Sequence, residues 1–162
     1  MDENRNSPVR GRRDAVKAEE MDKLVAKGIR AMENGHIHLA LVCFERASEE
    51  ARNPTINSGL GFCIAEARGE LARGEHLCRE AIVLDPDNTF HYRNLGSVLL
   101  LKGNKDEAIT VFREGLRVRR DEGIIARLDA LGTRKPPVLG SLGRDHFLNR
   151  LVGIMLTRLG FR

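Results

Sequence analysis

The chain has 162 residues, 41% of them apolar, 31% charged and only 4% aromatic, with one Tyr and no Trp. That balance is that of about one globular domain rather than of a disordered chain, and the core must come from Leu, Ala, Val, Ile and Phe. The net charge of +4 is uneven: residues 134–162 hold six bases and one acid, leaving the rest at −1, so a nucleic-acid reading of the whole chain has no support. Three cysteines (Cys43, Cys63, Cys78) are too few and odd in number for a disulfide framework, and the polar first twenty residues resemble no secretory leader. These features predict a cytoplasmic protein. The longest apolar runs, Leu39–Phe44 and Leu151–Leu156, fall far short of the roughly 20 residues a membrane span needs.

Residues 1–13 read as a flexible arm, and Asp14 is placed to cap a helix through Val16, Met21, Leu24 and Val25. A period of 34 then governs the chain. Gly35, Gly69 and Gly103 keep it, as do Phe44, Cys78 and Phe112, Ala40, Gly74 and Ala108, and Ala47, Ala81 and Gly115. Three units, 21–54, 55–88 and 89–122, tile without insertion. In the third, Tyr92, Leu95, Leu99 and Leu100 mark one amphipathic helix, Gly103-Asn104 breaks it, and Ala108, Ile109, Phe112 and Leu116 mark a second. Asp85-Pro86-Asp87-Asn88 separates units two and three, with Asn88 or Thr89 placed to cap the first helix of the third. The small columns allow two antiparallel helices to approach closely, with Phe44 and Phe112 filling the hollows. Segment 123–132 reads as one more helix, ended by Gly132 and capping the stack; the domain so defined runs over 14–132. Arg134-Lys135-Pro136-Pro137 opens a stiff Pro/Gly spacer, 133–144. Residues 145–162 form an amphipathic helix whose apolar arc, with Phe147, Leu148, Leu151 and Met155, fills more than half the circumference. So wide an arc leaves three fates open: packing on the protein's own repeats or a second copy, pairing with a different protein, or lying on a membrane, for which cations are too sparse on its polar face.

Tyr92-x2-Leu95-Gly96 and Ala108-x3-Phe112, with Leu24, Gly28, Ala40-x3-Phe44 and Ala47, resemble the tetratricopeptide repeat signature, and Ala81 and Pro86 continue it. Unit two departs most, at Ser58, Gly61-Phe62 and Gly74-x3-Cys78. The Pro-Pro spacer and the Leu-Asn-Arg-Leu segment also look like tails of small bacterial tetratricopeptide proteins. The resemblance covers residues 21–122. It implies an all-α, right-handed superhelical stack of about three helix-turn-helix repeats, with a capping helix and a C-terminal amphipathic helix added.

No residue pattern promotes catalysis or a cofactor. His36-x-His38 and His76-x-Cys78 lack paired, closed ligand spacing, so no metal is expected, and Cys78 and Cys43 read as small core residues. Gly59-x-Gly61 has Ile64 where a dinucleotide loop needs its third glycine, and Asp85-x-Asp87 has Phe90 and Gly96 where a calcium loop needs Gly and Glu. The chain is therefore expected not to be an enzyme. The resemblance instead implies a concave face lined by the first helix of each repeat. By column the better candidates there are Val25, Ile29, Met32, Cys63, Phe90, Arg93, Asn94 and Ser97; Asp22, Ala26, Ile56, Leu60, Glu66 and Leu100 share the columns. Val25, Ile29 and Leu60 cannot donate side-chain hydrogen bonds, which argues against the carboxylate clamp that some relatives carry, and an apolar helix or extended peptide suits the face better. The expected role is a non-catalytic adaptor that binds a protein or peptide, its own tail included. Self-association through the C-terminal helix is open. The alternative is a peripheral binder of anionic surfaces, nucleic acid or membrane, through the basic tail.

Overall fold

The computed structural model describes residues 8–132, with Val152 and Met155 further along, and side chains from Val16 onward. Seven helices occupy the described residues: α1 (Pro8–Glu33), α2 (Ile37–Glu50), α3 (Pro54–Arg68), α4 (Leu71–Leu84), α5 (Thr89–Leu101), α6 (Lys105–Val118) and α7 (Glu122–Ala130). The chain divides into two compact units, 1–125 and 126–162. In the first unit the helices pair as α1 with α2, α3 with α4 and α5 with α6, and α3 packs on α2 and α5 and meets α1. This is an all-α stack of helix pairs.

The turn within each pair has one cause. Gly35, Gly69 and Gly103 have φ of 75°, 70° and 83°, left-handed values that cost a side-chain-bearing residue strain. In pairs one and three the same bond closes the loop, His36 N–H donating to the Ala31 carbonyl at 2.8 Å and Asn104 N–H to that of Leu99 at 2.9 Å. Between pairs the starts are capped from the side chain: Asn53 Oδ1 accepts from Thr55 N–H at 2.8 Å and Asn88 Oδ1 from Phe90 N–H at 3.2 Å. Asn88, of the two residues expected to cap, is therefore the one that does.

The N-terminal expectation is corrected. Residues 8–13 are helical and Asp14 lies inside α1, so the free arm cannot extend to residue 13. Pro8 suits a first helical position, and Arg, Ala, Lys and Glu between 10 and 20 carry good intrinsic helix propensity without an apolar stripe to advertise it.

Phe44 and Phe112 have no exposed surface. Their seats are glycines on first helices, not the alanine columns. A Cβ built on Gly28 would lie 3.0 Å from the Phe44 ring and one on Gly59 2.5 Å from it, so the ring from α2 sits between α1 and α3. Gly96 serves Phe112 in the same way, at 2.3 Å. The second pair departs from this scheme. There a Cβ on Gly74 would come within 2.4 Å of the Gly61 carbonyl oxygen, and one on Gly61 within 2.7 Å of that of Gly74, so α3 and α4 touch backbone to backbone. Cys78 replaces the phenylalanine because nothing larger fits beside Gly61, whose Cβ would lie 3.1 Å from Sγ. Both glycines of Gly59-x-Gly61 are thus packing seats.

The first turn of α7 belongs to the first unit, where Ile124 is fully buried and a Cβ on Gly115 would lie 2.9 Å from its Cδ1. In the second unit α7 runs on to Ala130, and Gly132, with φ 69°, ends it.

Candidate functional site

The first helices α1, α3 and α5 carry the side chains that the repeat columns assign to the inner face, and the structure treats them unequally. On α1, Val25, Ile29 and Met32, at i, i+4 and i+7, are half-buried, while Asp22 and Ala26 are exposed. On α3, Ile56, Leu60 and Cys63 are buried and only Glu66 is exposed. On α5, Phe90, Asn94 and Ser97 are buried, and Arg93 and Leu100 are half-buried.

Cys63 is therefore corrected from a lining residue to a core residue. It has no exposed surface, because α3 is enclosed by α1, α2, α4 and α5 and a helix so surrounded buries almost every side chain. Burial, with Cys43 and Glu66 adding to it, pushes the Cys63 thiol up to about 12. Cys78 is raised in the same direction, chiefly by burial. Since the thiolate is the nucleophile, none of the three buried thiols should react with an aromatic disulfide reagent at neutral pH in the native chain, and all three should react once it is unfolded. Stoichiometric labelling of one cysteine without loss of helical signal would contradict this packing.

The polar residues of α5 are already engaged within the fold. Asn94 Nδ2 donates to Ser58 Oγ at 2.7 Å, a buried bond that ties α5 to α3. Ser97 Oγ donates to the Arg93 carbonyl at 2.7 Å. Ser58 stands where the other units have Leu24 and Tyr92, and a small polar residue in an apolar column was the available signal for this bond. Arg93 is held on three sides. Its Cζ lies 5.4 Å from the Phe90 ring centroid, Nη1 is 3.7 Å from Asp121 Oδ1, and a Cβ on Gly123 would come within 2.7 Å of Nη1. Asp121 is fixed by Thr89 Oγ1 and Ile124 N–H, each donating at 2.9 Å. Desolvation pushes its carboxyl up, but the bonds from Ile124 and Thr89 and the nearby Arg93 charge outweigh this and leave it below the usual range. Asp121 shares a 34-residue column with Asn53 and Asp87 and stands just before α7 as Asn53 stands just before α3, so the period marks it as a cap but is silent about its pairing with Arg93.

Glu75 on α4 accepts from Lys102, the residue that follows α5, and from Arg79 Nε at 2.8 Å, while Arg79, also on α4, reaches Glu107 on α6. Such partly exposed pairs add little stability. A separate cleft of about 430 Å³ lies between α1 and α2, lined by Lys17, Glu20, Met21, Leu24, Arg46, Ala47, Glu49 and Glu50; none of the inner-face candidates borders it. His36 and His38, at the start of α2, are exposed. Among the described residues no group of three or more His, Cys, Asp or Glu could hold a metal ion, and no helix is long and apolar enough to cross a membrane. Of the tail residues, Phe147, Leu148 and Leu151 lie outside the described residues, and Met155 is exposed.

No family model and no curated protein matches the chain. Solved structures do. Part of the O-GlcNAc transferase of Thermobaculum terrenum is 26% identical, with a TM-score of 0.56, over 68% of this chain and 22% of that one. The first tetratricopeptide domain of Spaghetti (RPAP3), bound to the HSP90 peptide SRMEEVD, is 17% identical with a TM-score of 0.54, over 71% of this chain and 92% of that one. The chain has the tetratricopeptide repeat fold. The Sgt2 domain from Aspergillus fumigatus aligns with this tetratricopeptide stack at 19% identity and a TM-score of 0.51, over 76% of this chain and 89% of that one. Because this chain spans about a fifth of the transferase, that likeness concerns the repeats and carries no activity with it.

Proposed function

We propose that the chain is a non-catalytic adaptor that holds an apolar helix or extended segment of another protein against the inner face of α1, α3 and α5. The observation that carries this reading is the half-buried row Val25, Ile29 and Met32 on α1, one apolar stripe at helical spacing, with Arg93 and Leu100 the half-buried members on α5. A stripe of that kind suits helix-in-face recognition, with anchors at i, i+4 and i+7. Tetratricopeptide domains of similar fold that are solved with HSP90 or HSP70 peptides support a peptide or protein as ligand. The acidic end of those peptides is not the expected ligand here, since Val25, Ile29 and Leu60 offer no donor side chain.

Affinity capture with the full chain, followed by calorimetry with the captured partner's binding segment, tests the reading. Ile29→Asp should weaken binding by about 2 kcal/mol or more, as loss of a central anchor does, measured at a temperature where the variant keeps its full helical signal. Affinity indifferent to both Ile29→Asp and Arg93→Ala in folded protein overturns it. Binding that instead falls steeply with salt and requires nucleic acid or anionic vesicles supports the alternative, peripheral binding through the +5 charge of residues 134–162. Tighter partner binding after truncation at Gly132 would make residues 145–162 a competing occupant, favoured by tethering.

A further inference from the structure

We propose that His91 is an acid-sensitive latch between the second and third helix pairs: its neutral ring seats the first turn of α5 at the end of α4, and protonation releases that turn. The ring is fully buried. Nε2 lies 3.4 Å from Oδ2 of Asp85, the residue that ends α4, and Nδ1 has no hydrogen-bond partner among the described residues. Phe90 presents a ring edge-on at 6.2 Å between centroids. Asn88 Nδ2 donates to the same Asp85 oxygen at 3.2 Å, so the N-cap of α5, the C-cap of α4 and the imidazole share one carboxylate oxygen.

In the neutral ring Nε2–H faces Asp85 and Nδ1 keeps its lone pair in the interior. A second proton would turn Nδ1 into a buried donor with no acceptor, a costly state for a charged group. Asp85 at the end of α4 is the charged group that acts on the ring; α3, α6 and α5 itself contribute none. That carboxylate is partly exposed and already accepts from Asn88. Burial accordingly lowers the His91 pKa, and Asp85 raises it by less. The sign follows. Below the ordinary histidine value of about 6.5, an opened chain takes up a proton that the closed ring refuses, so closure weakens as pH falls through this range and is constant above it. The first turn of α5 also carries Phe90 and leads into Arg93 and Asn94, so the latch controls one side of the inner face whichever ligand that face takes.

Amide hydrogen exchange on the full chain between about pH 7.5 and 5.5, corrected for intrinsic rates, tests this. Protection of α5 should fall several-fold in the wild type while that of α1 and α2 holds. In His91→Gln, whose amide can still donate to Asp85 but cannot be protonated, protection should not respond to pH. An unchanged wild-type α5, or an equal loss in His91→Gln, overturns the latch. If the variant does not fold, NMR titration of the wild-type ring decides: a value below that of an unfolded histidine supports the latch, and one at or above it overturns it.

Discussion

Phe44→Ala should lower the unfolding free energy by about 3–5 kcal/mol, the range for emptying a fully buried phenylalanine site. The upper part of that range is expected, because the cavity cannot collapse. The ring has no exposed surface, and both helices facing it present glycine, Gly28 on α1 and Gly59 on α3, with no side chain to move into the gap. The loss also loosens two contacts, α1 with α2 and α2 with α3. With a total stability of about 5–15 kcal/mol for a domain of this size, the first pair should melt well below the rest. Urea denaturation followed by helical signal measures the total, and hydrogen exchange locates it. A cost under about 1 kcal/mol would mean that the ring does not separate the helices as described.

Gly74→Ala should be as damaging by the opposite route. One methyl group is added where a Cβ would lie 2.4 Å from the Gly61 carbonyl oxygen and 2.9 Å from the Ala65 Cβ. Overfilling usually costs about 1–3 kcal/mol because side chains can give way. Here the obstacle is backbone inside a helix, and α3 is held by neighbours on several sides, so α4 must move as a rod. A loss of about 3 kcal/mol or more is expected. Alanine also raises intrinsic helix propensity by about 1 kcal/mol, so an isolated α4 peptide should become more helical while the protein becomes less stable. Equal or greater stability in urea denaturation would show that α3 and α4 do not meet backbone to backbone.

These two substitutions mark the two ways the repeat solves one packing problem. Pairs one and three lay an aromatic ring from the second helix on a glycine of the first, and pair two removes both side chains and brings the helices together. The mismatch of unit two with its neighbours, visible as Gly61-Phe62 and Gly74-x3-Cys78, is therefore a closer helix contact within an intact repeat.

The spacing of residues was enough for the architecture. Gly35, Gly69 and Gly103 recur because a left-handed turn must recur, and Phe44 and Phe112 because the hollow they fill recurs; both are local demands that a period exposes. Exposure was not legible in the same way. Ile29 and Cys63 occupy one column, yet one is half-buried and the other sealed, because α1 has neighbours on fewer sides than α3. The start of α1 was hidden for a related reason: helix propensity without an apolar stripe leaves no periodic mark. Contacts between residues distant in sequence were least visible. Asn94 with Ser58 and Arg93 with Asp121 follow from which helix is laid on which, and a column of like residues is silent about the residue that faces it from the next helix.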